Sequence, residues 1–302
     1  MSVFWQGVLP AITTPFLDDG SVDHGFLARH VDTLMRAGCS GIVPLGSLGE
    51  TATLTADEKT ALLRTVIEAV AGRGAVVPGV AALATADAVR FARSAQSLGC
   101  SGLMVLPPYV YSTDWREMKA HVSAVIGATP LPCMLYNNPI AYKTDFSALQ
   151  MQELAAQHAN FVAVKESSAD VRRIAAIKAA LGERLFVLIG VDDLIVEGLA
   201  AGACGWVAGL VNAFPRESVL LFELARAGRA AEVAPLYHWF LPLLRMDVVP
   251  KFVQLIKLVQ SRVDMGSTRV RAPRLELVGQ ELEEASATID HALAHKPRLP
   301  AL

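Results

Sequence analysis

The stretch Phe161-Val162-Ala163-Val164-Lys165-Glu166-Ser167-Ser168 decides the fold. Its unbroken apolar run reads as a strand buried on both faces, as in the parallel sheet of an α/β protein. A lysine ends the run, and a polar turn and then a helical pattern follow it. Lysine belongs by default on solvated helix faces, where the patterns around Lys59, Lys119, Lys178 and Lys296 place those four. At the end of a buried strand it loses hydration, which lowers its pKa and leaves more neutral amine to attack a carbonyl. Such a lysine is either a Schiff-base nucleophile or half of a structural ion pair with a neighbouring acid.

Working outward, the same strand-and-turn grammar recurs. Gly38-Cys39-Ser40-Gly41-Ile42-Val43-Pro44-Leu45 is a glycine stop followed by an apolar run. It returns as Gly99-Cys100-Ser101-Gly102-Leu103-Met104-Val105-Leu106, and again as Gly202-Ala203-Cys204-Gly205-Trp206-Val207-Ala208-Gly209. A repeated phrase of helix end, glycine and strand marks a series of βα units. With the N-terminal run Gly7-Val8-Leu9-Pro10-Ala11-Ile12 and the runs at 76–80, 132–136, 161–165 and 185–189, the strand candidates fill a (β/α)8 barrel. An open doubly wound sheet is the alternative, weakened by the lack of a G-x-G-x-x-G after the first strands. Thr55-Ala56-Asp57-Glu58 reads as a capping box, and Thr85 and Asp145 as helix N-caps. After Val211 only helical periodicity remains, so the chain divides into a barrel core over residues 1–214 and an appended helical segment over 215–302.

Composition narrows the function. The chain has 302 residues, 53% hydrophobic and 19% charged, with a formal net charge of −2. That suits a compact globular protein and argues against a nucleic-acid or anionic-membrane partner. No run is long enough to span a membrane and no leader-like pattern opens the sequence, so a cytoplasmic setting is expected. The cysteines Cys39, Cys100, Cys133 and Cys204 lie far apart beside or inside apolar runs and read as small buried hydrophobes. His24, His30, His121 and His158 fall within helical patterns and are expected at the surface. No H-E-x-x-H, P-loop or Rossmann motif is present.

Reactive groups of a (β/α)8 barrel gather at the C-terminal strand ends. There the sequence offers Gly46-Ser47-Leu48-Gly49-Glu50, Pro107-Pro108-Tyr109, Tyr136-Asn137-Asn138-Pro139, Lys165-Glu166 and Gly190-Val191-Asp192-Asp193. Tyr136 ends the strand next to that of Lys165, so its phenol can face the amine and move protons. The turn at Gly46, Ser47 and Leu48 offers backbone N–H groups and a hydroxyl suited to a carboxylate.

Taken together in this order, these strand ends resemble the dihydrodipicolinate synthase/N-acetylneuraminate lyase family of class I aldolases over nearly the whole chain. The resemblance implies a (β/α)8 barrel with a C-terminal helical extension, assembled as a homotetramer, a dimer of dimers. It implies that Lys165 forms an imine with a 2-oxo acid and Tyr136 shuttles protons. Tyr109 would join a relay across a subunit interface, and the substrate carboxylate would rest on Gly46, Ser47 and Leu48. Gly190 and Val207 would line the substrate, and neither a metal nor an organic cofactor would be required, which fits the missing motifs. Two departures bear on the substrate: Leu48 stands where the synthases carry a second hydroxyl, and no arginine lies near Ala141-Tyr142, where they grip the aldehyde's carboxylate. Lys143 is close by but is a poorer bidentate partner. The runs 165–174 and 205–215 are similar to a branch that degrades hydroxyproline, which implies 1-pyrroline-4-hydroxy-2-carboxylate deaminase activity. Dihydrodipicolinate synthase, a 2-keto-3-deoxy sugar acid aldolase or dehydratase, and a non-catalytic 2-oxo-acid binder are the alternatives.

Overall fold

The repeated glycine phrase stops helices. In the computed structural model, which describes residues 5–108 and 114–299, Gly38, Gly99 and Gly202 all take positive φ, at 99°, 89° and 105°. The residue after each glycine donates its N–H to a carbonyl five positions back: Cys39 to Leu34, Cys100 to Ala95 and Ala203 to Gly198. This is a Schellman stop, which satisfies the last free carbonyls and turns the chain into the next strand.

The strands so launched are β1 (Gly7–Pro10), β2 (Gly41–Ile42), β3 (Ala75–Val76), β4 (Gly79–Val80), β5 (Leu103–Val105), β6 (Cys133–Asn137), β7 (Phe161–Glu166), β8 (Phe186–Ile189) and β9 (Gly205–Ala208). All ladders are parallel. Their order is β1-β9-β8-β7-β6-β5-β4, with β2 paired to β3. The run expected at 76–80 is one barrel strand in two pieces, since Pro78 has no N–H to give the ladder. Backbone bonds continue through the break, from Val77 to Ile42 and from Gly79 to Pro44, both at 2.9 Å. A parallel bridge between Ala11 and Val43 joins β1 to β2. The sheet therefore closes into the barrel.

Helices α1 (His24–Arg36), α2 (Ala56–Val70), α3 (Thr85–Leu98), α4 (Trp115–Gly127), α5 (Pro139–Tyr142), α6 (Ala148–Gln157), α7 (Arg172–Leu181) and α8 (Ile195–Ala200) connect the strands. The Thr55 capping box opens α2 as expected. Asp145, expected as an N-cap, instead pairs bidentately with Arg173 on α7 at 2.5 and 2.7 Å, and Ser147 caps α6. Thr85 is likewise the first residue of α3 and not its cap. The surface expectation fails for two histidines. His30 is buried with Nε2 3.0 Å from Asn212 Oδ1, and His121 is buried with Nδ1 3.0 Å from Thr85 Oγ1. Burial pushes both imidazoles below their ordinary pKa and holds them neutral.

Helix α9 (Pro215–Arg226) packs on β1 and α8 in the position of the eighth barrel helix, so we place the boundary of the helical supplement after it. Helices α10 (Ala230–Leu244), α11 (Phe252–Arg262) and α12 (Gly279–Ala294) follow. Trp239 stacks on Phe240 and donates its Nε1–H to the Ala292 carbonyl at 2.8 Å, so this aromatic patch packs within the chain. The supplement is tied to the catalytic end through Lys257 on α11. Its ammonium donates to Glu50 Oε1 at 2.6 Å and to the carbonyls of Thr14 and Arg269. Among the described residues no helix is long and apolar enough to cross a membrane.

Candidate active site

Strand alternation places successive side chains on opposite faces of the sheet. In β7 this sends Lys165 into the barrel and Glu166 to the other side. Glu166 is held there by Asn137 Nδ2 at 3.0 Å and the Ser168 N–H at 2.8 Å, and burial pushes its carboxyl pKa up. Asn137 also accepts from the Phe146 N–H at 3.0 Å, which fixes the loop leaving β6.

Lys165 is register partner to Tyr136 across β6 and β7. Its Nζ lies 4.2 Å from the Tyr136 ring centroid. Among the described residues no hydrogen bond or ion pair engages this amine, although the residue is only 6% exposed. Gly190 gives the alkyl chain its room. A Cβ there would stand 2.5 Å from Lys165 Cε and 2.0 Å from Ser167 Oγ, so only glycine lets the lysine lie along β8.

The turn after β2 is bracketed by two non-glycine residues of positive φ, Leu45 at 60° and Glu50 at 53°. Such backbone is strained and persists only where its surroundings enforce it. Here the enforcement is the buried Lys257–Glu50 pair. The N–H groups of Ser47 and Leu48 meet no acceptor among the described residues, so they remain donors for a carboxylate. The Leu48 side chain is buried, and Gly46 sits within 3.5 Å of Met104 Cε once a Cβ is added. The Ser47 hydroxyl is hydrogen-bonded to the Tyr142 phenol. Tyr142 ends α5 and meets Tyr136 edge to face at 5.7 Å. Asn138 joins these parts: its Oδ1 caps α5 at the Ala141 N–H, and its Nδ2 donates to the Tyr136 phenol oxygen, each at 3.0 Å.

Ser47, Tyr142, Tyr136, Lys165 and Gly190 thus form one continuous arc. Val207 lies on β9, two strands from Lys165, and is buried beside Leu9 in register. Tyr109 lies outside the described residues, as does Tyr111. Sequence reasoning passed over Tyr142 except as a place lacking arginine, and it passed over Asp247 entirely. Asp192, noted only as part of a turn, is fully buried and accepts from Trp206 Nε1 at 2.9 Å, Gly209 N–H at 3.0 Å and Leu210 N–H at 2.8 Å. Burial pushes its carboxyl up to about 6, against the pull of these donors and of Lys165.

A (β/α)8 barrel with a buried lysine and a tyrosine meeting at its C-terminal mouth is the architecture of class I lyases. The chain belongs to the Dihydrodipicolinate synthetase family, whose sequence profile matches residues 5–292. It is an enzyme of that family. It is 32% identical over 291 residues to a 4-hydroxy-tetrahydrodipicolinate synthase of Agrobacterium fabrum, covering 96% of this chain and 98% of that one. A Methanococcus maripaludis protein of the same name is 29% identical over 283 residues, covering 93% and 97%. Among solved structures, dihydrodipicolinate synthase from Aquifex aeolicus superposes with a TM-score of 0.90 at 28% identity, covering 95% of this chain and 97% of that one.

Proposed function

We propose that this enzyme is a lysine Schiff-base lyase acting on a small 2-oxo acid or cyclic imino acid, and specifically a 1-pyrroline-4-hydroxy-2-carboxylate deaminase. In this reading Lys165 adds to C2 of the substrate's cyclic imine and the ring C–N bond opens. Tyr136 then moves the proton at C3, the 4-hydroxyl leaves, and hydrolysis releases ammonia and 2-oxoglutarate semialdehyde. The substrate carboxylate rests on the free N–H groups of Ser47 and Leu48. The reading carries with it a tetrameric assembly in which Tyr109 works across an interface.

The observation that carries the substrate choice is the Ser47–Tyr142 hydroxyl pair. No arginine lies near Ala141-Tyr142, where one would grip a second carboxylate, and a phenol tied to a serine offers no charge for that. A substrate with one carboxylate needs only the turn after β2. The second reading, dihydrodipicolinate synthase, is supported by the names of the relatives, at about a third identity or less. The test is ammonia release from 1-pyrroline-4-hydroxy-2-carboxylate, measured beside condensation of pyruvate with aspartate semialdehyde. Ammonia without condensation is the expected result. Condensation without ammonia would return the chain to the synthases.

A further inference from the structure

One carboxyl at this mouth keeps a buried oxygen without a partner among the described residues. Asp247 ends a single 3₁₀ turn (Arg245–Asp247) between α10 and α11, and its Oδ1 is buried without a hydrogen bond among the described residues. A buried polar atom left unsatisfied is costly, and such atoms collect where function requires them. The approach is built into the chain at Gly209, where a Cβ would stand 2.0 Å from Asp247 Oδ1 and 2.8 Å from Oδ2. The turn is also held in place over the loop after β8. Tyr237 donates its phenolic O–H to the Asp193 carbonyl, and Arg245 faces the Asp193 carboxylate at 3.6 Å.

Asp192 accepts the Gly209 N–H and Asp247 lies where a Gly209 Cβ would stand, so both carboxyls lie against one residue, with different duties. Asp192 is saturated by three donors and holds the backbone after β9. Asp247 Oδ1 has no such donor among the described residues. The charged groups acting on it are Asp192, Asp193 and Lys165. Two neighbouring carboxyls in a dry site do not both ionise. The donors favour charge on Asp192, which leaves the proton on Asp247. Burial and the Asp192 charge push in that direction, against Lys165.

We propose that Asp247 is the general acid of this site, delivering a proton to the oxygen that leaves the substrate while C2 is held on Lys165. This rests on the deaminase reading. In this reading a substrate held by its carboxylate at the turn after β2 and by C2 at Lys165 turns its remaining carbons toward the end of β9, where Asp247 lies against Gly209. In the elimination the C3–H bond breaks and its proton goes to the base, the electron pair forms the C3–C4 double bond, and the C4–O bond breaks. The departing oxygen takes the Asp247 proton and leaves as water, and Asp247 becomes a carboxylate until it is reprotonated from solvent.

Asp247→Asn in the full chain keeps the shape and removes the acid. It should leave borohydride trapping of pyruvate, and exchange of the pyruvate methyl protons with deuterated water, within about threefold of the parent. Ammonia release from 1-pyrroline-4-hydroxy-2-carboxylate should fall about a hundredfold or more, and the alkaline limb of its kcat profile should vanish. Gly209→Ala, which displaces the same carboxyl, should give the same pattern. Ammonia release within about threefold of the parent in Asp247→Asn would overturn the inference. So would trapping and exchange that fall in step with it, since that would mark a structural role. An unaltered chain that traps pyruvate but yields no ammonia removes the deaminase reading and this inference with it, a result separable from failure of Asp247 alone.

Discussion

Lys165 and Lys257 are the two lysines buried among the described residues, at 6% and 1% exposure, and they are set up for opposite purposes. Lys257 is paired. It meets Glu50 at 2.6 Å and two backbone carbonyls, so its charge is compensated in place. Burial lowers its pKa and Glu50 opposes that shift. Lys165 has an aromatic face beside it and, among the described residues, no hydrogen-bonded or ion-paired carboxylate. Its amine is left free to meet a substrate. The contrast teaches that burial alone does not make a lysine a nucleophile. What matters is whether its neighbour fixes the charge or leaves the amine available.

The largest effect that would break this contrast is chemical. Lys165→Met should abolish borohydride trapping of pyruvate and lower turnover at least about a thousandfold, with thermal stability little changed. Label retained by the mutant would mean that another amine is the nucleophile. Lys257→Met should do the reverse. It strands the Glu50 carboxylate and should cost about 3–5 kcal/mol in denaturant unfolding. Adding Glu50→Gln should recover part of the loss, and a double mutant no better than the single would show that Glu50 is not the stranded group. The smallest effect sharpens the comparison from the surface. Glu58 pairs with Arg271 while both stay partly exposed, and the guanidinium lowers its carboxyl from 4.5 to about 2. A carboxyl lowered in the folded state stabilises above its unfolded value and loses that contribution as pH falls from about 4.5 through about 2. Glu58→Gln, which keeps the capping box, should therefore cost about 1 kcal/mol or less at neutral pH. The difference should disappear near the bottom of that range. A deficit that persists in acid would place the effect in the cap and not in the charge.

How much could be read in advance follows the range of each interaction. The strand ending in Lys165, the glycine stops and the Thr55 capping box are local patterns, and all three were legible. Tyr136 beside Lys165 was legible too, because neighbouring strands of a parallel barrel follow in chain order. Asp145 was misread because its partner, Arg173, lies on another helix and outcompetes the local cap. His30 and His121 were misread because helical periodicity gives a face, and only the packing of Asn212 and Thr85 against that face makes it interior.

The sequence by itself determined the class of fold, the succession of its strands and the buried strand that ends in Lys165, since each is encoded in short runs of period and turn. Only the tertiary structure decided which charges are compensated. Glu50 meets Lys257 across 207 positions, and Asp247 reaches Gly209 from a segment that joins no strand of the barrel. Tyr142 finds Ser47 across 95 positions. Pairings at such separations depend on how the loops and the helical supplement close over the barrel mouth, and no local pattern of residues records that.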